Sequence, residues 1–230
     1  MIKVNDITYS YGRKRVLDGA SLTAAQGDCV AIAGVNGCGK STLLSILSGA
    51  LRPQGGEIFY GDRDARKEKG VFQRMVGYVP QDNPLFEELT VRDNLRLWYS
   101  KSPYSMEEDL RGGLLSVLQL SELLPIRVSR LSGGMKKRVS IGCALAAHPP
   151  ILVLDEPSAA LDLICKEEIR QYLSVYLEQK GTILITTHEE AELNLCNRLY
   201  ILRKGKLEER ESGLRGDALL RELAGRGEEK

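Results

Sequence analysis

No stretch of this sequence is apolar for long enough to cross a bilayer. The longest apolar tract, residues 139–154, is interrupted by His148-Pro149-Pro150 and falls short of the roughly 18 unbroken residues a span needs. No leader segment is expected at the start, since Met1-Ile2-Lys3-Val4 reads directly as a strand-like run. An excess of one charge is missing too. Lys+Arg 32 against Asp+Glu 31 leaves a net charge of +1, so no global field draws nucleic acid or an anionic membrane. The five cysteines (Cys29, Cys38, Cys143, Cys165, Cys196) are odd in number and form no C-x-x-C pair. That argues against a disulfide framework or a structural zinc and suits a reducing cytosol. The sequence has one tryptophan and no internal repeat or low-complexity segment.

What is present is concentrated in Gly34-Val35-Asn36-Gly37-Cys38-Gly39-Lys40-Ser41-Thr42, which fits G-x-x-x-x-G-K-[ST]. The apolar run 29–33 before it reads as a buried strand, and Leu43, Leu44, Ile46 and Leu47 after it recur at helical spacing. Strand, glycine loop, helix is a phosphate-binding arrangement. Gly34, Gly37 and Gly39 free the loop for positive φ, so its amides form a nest at a helix N-terminus. Lys40 supplies an ammonium for the β- and γ-phosphates, and Ser41 a hydroxyl for a hard cation, which fits Mg²⁺.

Ahead of this loop, residues 2–7, 16–17 and 21–24 predict short strands. Tyr9, Tyr11 and Gly12 fall in their first connection. Tyr11 either stacks on an adenine face or packs at a sheet edge. Strands are expected at 57–60 and 76–79, and the charged run 63–69 reads as solvated. From 82 to 148 the texture turns helical. Thr90 with Asp93 marks a helix start; Val91, Leu95 and Trp98 share a face, with Trp98 expected in the core. A second helical pattern covers 106–120. Leu131-Ser132-Gly133-Gly134-Met135 opens another helix, with Lys136-Lys137-Arg138 read as its solvated face. The apolar strand 151–154 ends in Asp155-Glu156. A further apolar strand, 182–186, ends at Thr187-His188, where side chains at strand carboxyl ends gather. His148 reads as a loop residue with no chemistry.

Taken in order, Tyr11, Gly34–Thr42, Gln81, Leu131-Ser132-Gly133-Gly134, 151–155, Glu156, Ser158–Asp162 and His188 resemble the motifs of the nucleotide-binding subunit of an ATP-binding cassette (ABC) transporter. The similarity covers about residues 1–208. It implies an α/β fold: a P-loop NTPase (RecA-like) core with an antiparallel β subdomain and an inserted all-helical subdomain. Residues 1–81 and 149–208 would form the core, 82–148 the helical lobe and 209–230 a charged tail. It implies ATP with Mg²⁺, and ATP contacts from Tyr11, Gly34, Asn36, Gly37, Cys38, Gly39, Lys40, Ser41, Thr42 and Gln81. Metal ligands would be Ser41, Gln81 and Asp155, and catalytic groups Glu156, His188 and Lys40. Leu131, Ser132, Gly133, Gly134 and Met135 form the family's signature, which closes on ATP held by a partner. Ser158, Leu161 and Asp162 belong to the loop that follows the second Walker strand. Met135 departs from the glutamine common at its position.

The implied partners are a second copy or a related ATPase subunit, and an integral membrane permease on another polypeptide; no nucleic acid is expected. The resemblance places the chain on the cytoplasmic face of the membrane. The permease would dock on residues 82–98, with Leu85 and Phe86 exposed. The short tail and residues 84–95 resemble exporter subunits. A DNA- or ribosome-acting cassette would need extended heptads or a second cassette, and neither is present. A small-molecule kinase would have no use for the Ser132 signature.

Overall fold

The computed structural model describes residues 1–224. Part of the expected tail, residues 225–230, lies outside the described residues. The chain opens on a long antiparallel hairpin, β1 (Ile2–Tyr11) and β2 (Lys14–Ala24). Tyr9 and Tyr11 therefore lie in a strand, not in a connection. Register shifts between Val4 and Ile7 and between Tyr9 and Ser10 break the period-two pattern, which makes one ribbon look like several pieces. β3 (Cys29–Ala33) is buried at every position and feeds residues 34–39 into α1 (Lys40–Leu47). β4 (Gly55–Tyr60) and β5 (Arg63–Asp64) complete a four-stranded sheet in the order β2-β1-β4-β5. A five-residue helix, α2 (Val71–Met75), leads into β6 (Val76–Val79).

Helices follow: α3 (Val91–Tyr99), α4 (Met106–Arg111), α5 (Leu114–Val117) and α6 (Gly133–Ala144). Thr90 caps α3 by accepting from the Asp93 amide, as its spacing predicts. The single helix expected over 106–120 is two, split at Gly112-Gly113, where glycine gains most by leaving the helix. The chain then runs through β7 (Ile151–Asp155), α7 (Leu163–Glu178), β8 (Thr182–Thr186), α8 (Glu190–Leu193), β9 (Arg198–Arg203), β10 (Lys206–Arg210) and α9 (Gly216–Leu223).

The second sheet has six strands in the order β10-β9-β3-β8-β7-β6, parallel except for β10. β3, β7 and β8 are buried throughout, as unbroken apolar runs are when helices or a second sheet cover both faces. One apolar cluster joins α1 to the hairpin sheet through Leu43, Leu47, Ile2 and Ile58. The other joins the helical segment to the opposite face through Leu95, Val139, Ile141 and Leu173. Parallel strands aim their carboxyl ends one way, so residues just after β3, β6, β7 and β8 emerge along one edge.

Three expectations about side chains fail. Leu85, expected exposed, is half-buried and packs on the helical segment's apolar cluster. Trp98 is 49% exposed, not core. By angle it shares the buried face of α3, but what it meets is a groove of about 940 Å³ rather than packed protein. Lys137 and Arg138 are buried, not solvated, because α6 is packed on by α3, α7 and β6. His148 is in a loop as expected, yet its ring stacks on Tyr104 at 3.7 Å and its Nε2 lies 2.7 Å from Asp109. The cysteines are all free thiols; Cys29 and Cys196 nonetheless lie with their sulfurs 3.2 Å apart in the interior.

Candidate functional site

The loop after β3 is held in shape by its glycines and its lysine. Gly37 and Gly39 have φ of 76° and 113°, where a side chain is strained. Gly34 lies flat on β9: a Cβ there would stand 2.9 Å from the Leu202 carbonyl oxygen. Lys40 is buried, and its Nζ donates back to the Gly34 carbonyl at 2.8 Å, so the loop encircles its own ammonium. Asn36, Gly37, Ser41 and Thr42 face a cleft of about 470 Å³. Tyr11, Lys14 and Val16 of the hairpin form one wall, and Gln81 and Glu156 another.

Tyr11 is more than half exposed at this cleft, with its ring edge-on to Tyr9 at 5.0 Å and its hydroxyl 3.5 Å from Thr42 Oγ1. Cys38 turns its sulfur inward, close against Gly34. Burial pushes the Cys38 thiol up from its ordinary value.

Asp155 closes β7 almost fully buried and accepts from Thr186 Oγ1 at 2.6 Å. Glu156 follows at φ 45°, its amide donating to the Thr186 carbonyl and hydroxyl. These bonds hold a non-glycine residue in the left-handed region. His188, after β8, sits half-exposed with Nε2 3.6 Å from Glu156 Oε1. Lys40, Glu156, Gln81 and His188, far apart in sequence, thus converge as the strand ends bring them together.

The residues around Ser132 behave differently. Ser132 is exposed and caps α6, its hydroxyl accepting from the Met135 amide at 3.3 Å. Gly133 is exposed as well. Gly134 packs so tightly on α7 that a Cβ would stand 2.3 Å from Cys165 Sγ. Leu131 is buried and Met135 half-buried, and both pack in the lobe's apolar cluster. None of residues 131–135 lines the cleft.

Ser158 is buried, donating to Glu192 at 2.5 Å, and Thr187 donates to the same carboxylate. Burial raises the Glu192 carboxyl above its usual range, with these two bonds opposing. Leu161 is half-buried, and Asp162 caps α7 by accepting from the Cys165 amide. Lys14, Val16 and Glu192 have no site role in the sequence reading, which sets Lys137 on a solvated face. Lys14 pairs directly with Tyr11 across the hairpin, a neighbour visible once the ribbon is seen as continuous. Nothing local marks the other three.

The sequence matches the family model described as ABC transporter over residues 17–159. The chain belongs to the ABC transporter family. It is 37% identical over 216 residues to the sulfate/thiosulfate import ATP-binding protein CysA 2 of Rhizobium meliloti, covering 90% of this chain and 59% of that protein. It is 39% identical over 208 residues to Nod factor export ATP-binding protein I of the same species, covering 89% of this chain and 62% of the relative. Its fold is similar, at a TM-score of 0.80 and 29% identity, to a dimeric ATP-binding cassette in a post-hydrolysis state with ADP and Pi. That match covers 94% of this chain and all of the other. The chain spans about three-fifths of the length of the curated relatives it matches (59% and 62%). The fold is that of an ABC ATPase cassette. No helix among the described residues is long and apolar enough to cross a membrane.

Proposed function

We propose that this ABC cassette binds and hydrolyses ATP as one half of a head-to-tail dimer and drives a membrane-spanning permease. The observation that carries the reading is the placement of two glycine-lined cradles. The first floors a cleft with its own lysine and carboxylate; the second, at Ser132, lies exposed outside that cleft. A phosphate-binding turn at a helix N-terminus with no ligand on its own chain needs a second chain to complete it.

In the first cradle the loop amides and Lys40 take the polyphosphate, Lys40 exchanging its Gly34 carbonyl for phosphate oxygens. Tyr11, exposed at the mouth, offers its face to the base. Glu156 lines the cleft and acts on the attacking water as a polarising carboxylate, with His188 beside it to fix its orientation. A Mg²⁺ ion fits the donor set of Ser41 hydroxyl, Gln81 amide and Asp155 carboxylate, hard oxygens of the kind it prefers; bound there it neutralises charge on the phosphates. Asp155 is held ready by Thr186. Ser132 and the amides of Gly133 and Gly134 cap the partner's nucleotide.

The large groove lined by Pro84 and Trp98 receives a permease segment, and Phe86 nearby in sequence is 60% exposed. The chain then works on the cytoplasmic face of a membrane. We assign export as the direction on residues 84–95 alone, the import and export relatives being about equally similar at 37% and 39% identity. Affinity capture from a detergent extract tests the assignment. Recovery of a multispan membrane protein is expected; recovery of ribosomes or DNA with no membrane protein contradicts it.

A further inference from the structure

The helix that presents Ser132 outward also reaches back to its own cleft. α6 is tied to β6 and the residues after it at two places. Near the helix C-terminus, Gly77 lies under the Ala144 carbonyl, where a Cβ would stand 2.6 Å from the oxygen. Midway along, Lys137 Nζ donates to the carbonyls of Pro80 at 3.0 Å and Gln81 at 2.9 Å. From Ala144 back to Lys137 the helix rises about 10 Å, and the strand from Gly77 to Gln81 advances about 13 Å. The two elements therefore run alongside each other in opposite directions, joined near both ends.

Lys137 is 3% exposed. A buried ammonium needs strong partners, and its hydrogen bonds go to two main-chain carbonyls of the segment that carries Gln81 into the cleft. Gripping consecutive carbonyls fixes both peptide planes and so the aim of the Gln81 side chain. At the N-cap of the same helix, five residues earlier, Ser132 is exposed and does not line this cleft.

We propose that Lys137 is a positioning residue that straps the Gln81 segment to α6. Through this strap one helix sets both the Gln81 segment that lines one cleft and the Ser132-Gly133-Gly134 turn that serves the opposite site. The proposal rests on the ATP-dimer reading above and adds to it the physical link between the two sites.

The test uses the full chain with Lys137→Met, which keeps the stem and removes the donors, and Lys137→Arg, which restores them. Lys137→Met is expected to hold its melting midpoint and its Kd for Mg-ATP within about twofold while kcat falls about tenfold. Lys137→Arg recovers most of that loss. In a Glu156→Gln background, Lys137→Met needs about tenfold more Mg-ATP to form the dimer. Combined with Gln81→Ala, it costs no more than Gln81→Ala alone, since both act through one group. Unchanged kcat and dimerisation in Lys137→Met overturn the proposal. So do additive losses, or a loss that Arg fails to recover. Should Lys137→Met not fold, Lys137→Gln carries the test, with lowered kcat at constant Kd expected and unchanged kcat contradicting. A wild-type chain that binds no Mg-ATP overturns the underlying reading instead, and the strap with it.

Discussion

The two glycine cradles of this chain use the same chemistry in opposite settings. Residues 34–42 are set between a buried strand and a buried helix, and their lysine is already bonded inside the loop. Residues 132–134 open a helix too, but Ser132 and Gly133 meet solvent, and the serine oxygen accepts the helix cap while its O–H can still donate. One is preorganised around a charge; the other is a surface with half a pocket. On the dimer reading proposed above, the floor enclosed by the sheet and hairpin holds nucleotide by itself, whereas the exposed turn gains its ligand only from across an interface.

The sharpest way to break the comparison is Lys40→Ala. Removing charge-assisted bonds to phosphate, each worth about 1.5–3 kcal/mol, weakens Mg-ATP binding at least about a hundredfold. Titration calorimetry showing undiminished affinity refutes the first cradle. Gly134→Ala acts next. Its new methyl collides with Cys165 and destabilises the fold by about 1–3 kcal/mol in thermal melts, yet monomer affinity for ATP stays put. A parallel fall in that affinity places the second cradle in its own chain's site, against the account.

Ser132→Ala removes the α6 cap at a cost of about 1 kcal/mol and raises the Mg-ATP needed for pairing, with the single-chain Kd unaltered. Equal pairing in both proteins denies Ser132 its part. Smallest is the effect of pH on Cys38. Burial raises its pKa, so its thiolate is scarce at neutral pH and forms only as pH climbs past the ordinary cysteine value. Labelling by a small alkylating reagent, followed by mass spectrometry, rises steeply above that range. Rapid labelling at pH 7 means the sulfur faces the cleft.

Much of this was legible before any coordinates. Glycine spacing, apolar runs ending in acids and the order of the motifs are local signals, and local signals fix β3, α1, β7, β8 and the cap at Thr90. The failures are tertiary. Hairpin register shifts hid the continuity that brings Lys14 opposite Tyr11. Trp98 keeps helical periodicity, but periodicity does not say where the opposing element ends. Lys137 reads as one of three adjacent cations on an exposed face, and only the packing of α3, α7 and β6 around α6 makes it a buried donor. Glu192 gives no hint in sequence that it joins Ser158 to Thr187.

The central claim is that the exposed cradle is completed by another molecule. Glu156→Gln, mixed with saturating Mg-ATP and passed through a sizing column with light scattering, measures it directly. The account predicts a mass that doubles with Mg-ATP and returns to that of one chain when the nucleotide is removed. A variant that binds Mg-ATP by calorimetry and still elutes at the mass of one chain contradicts it.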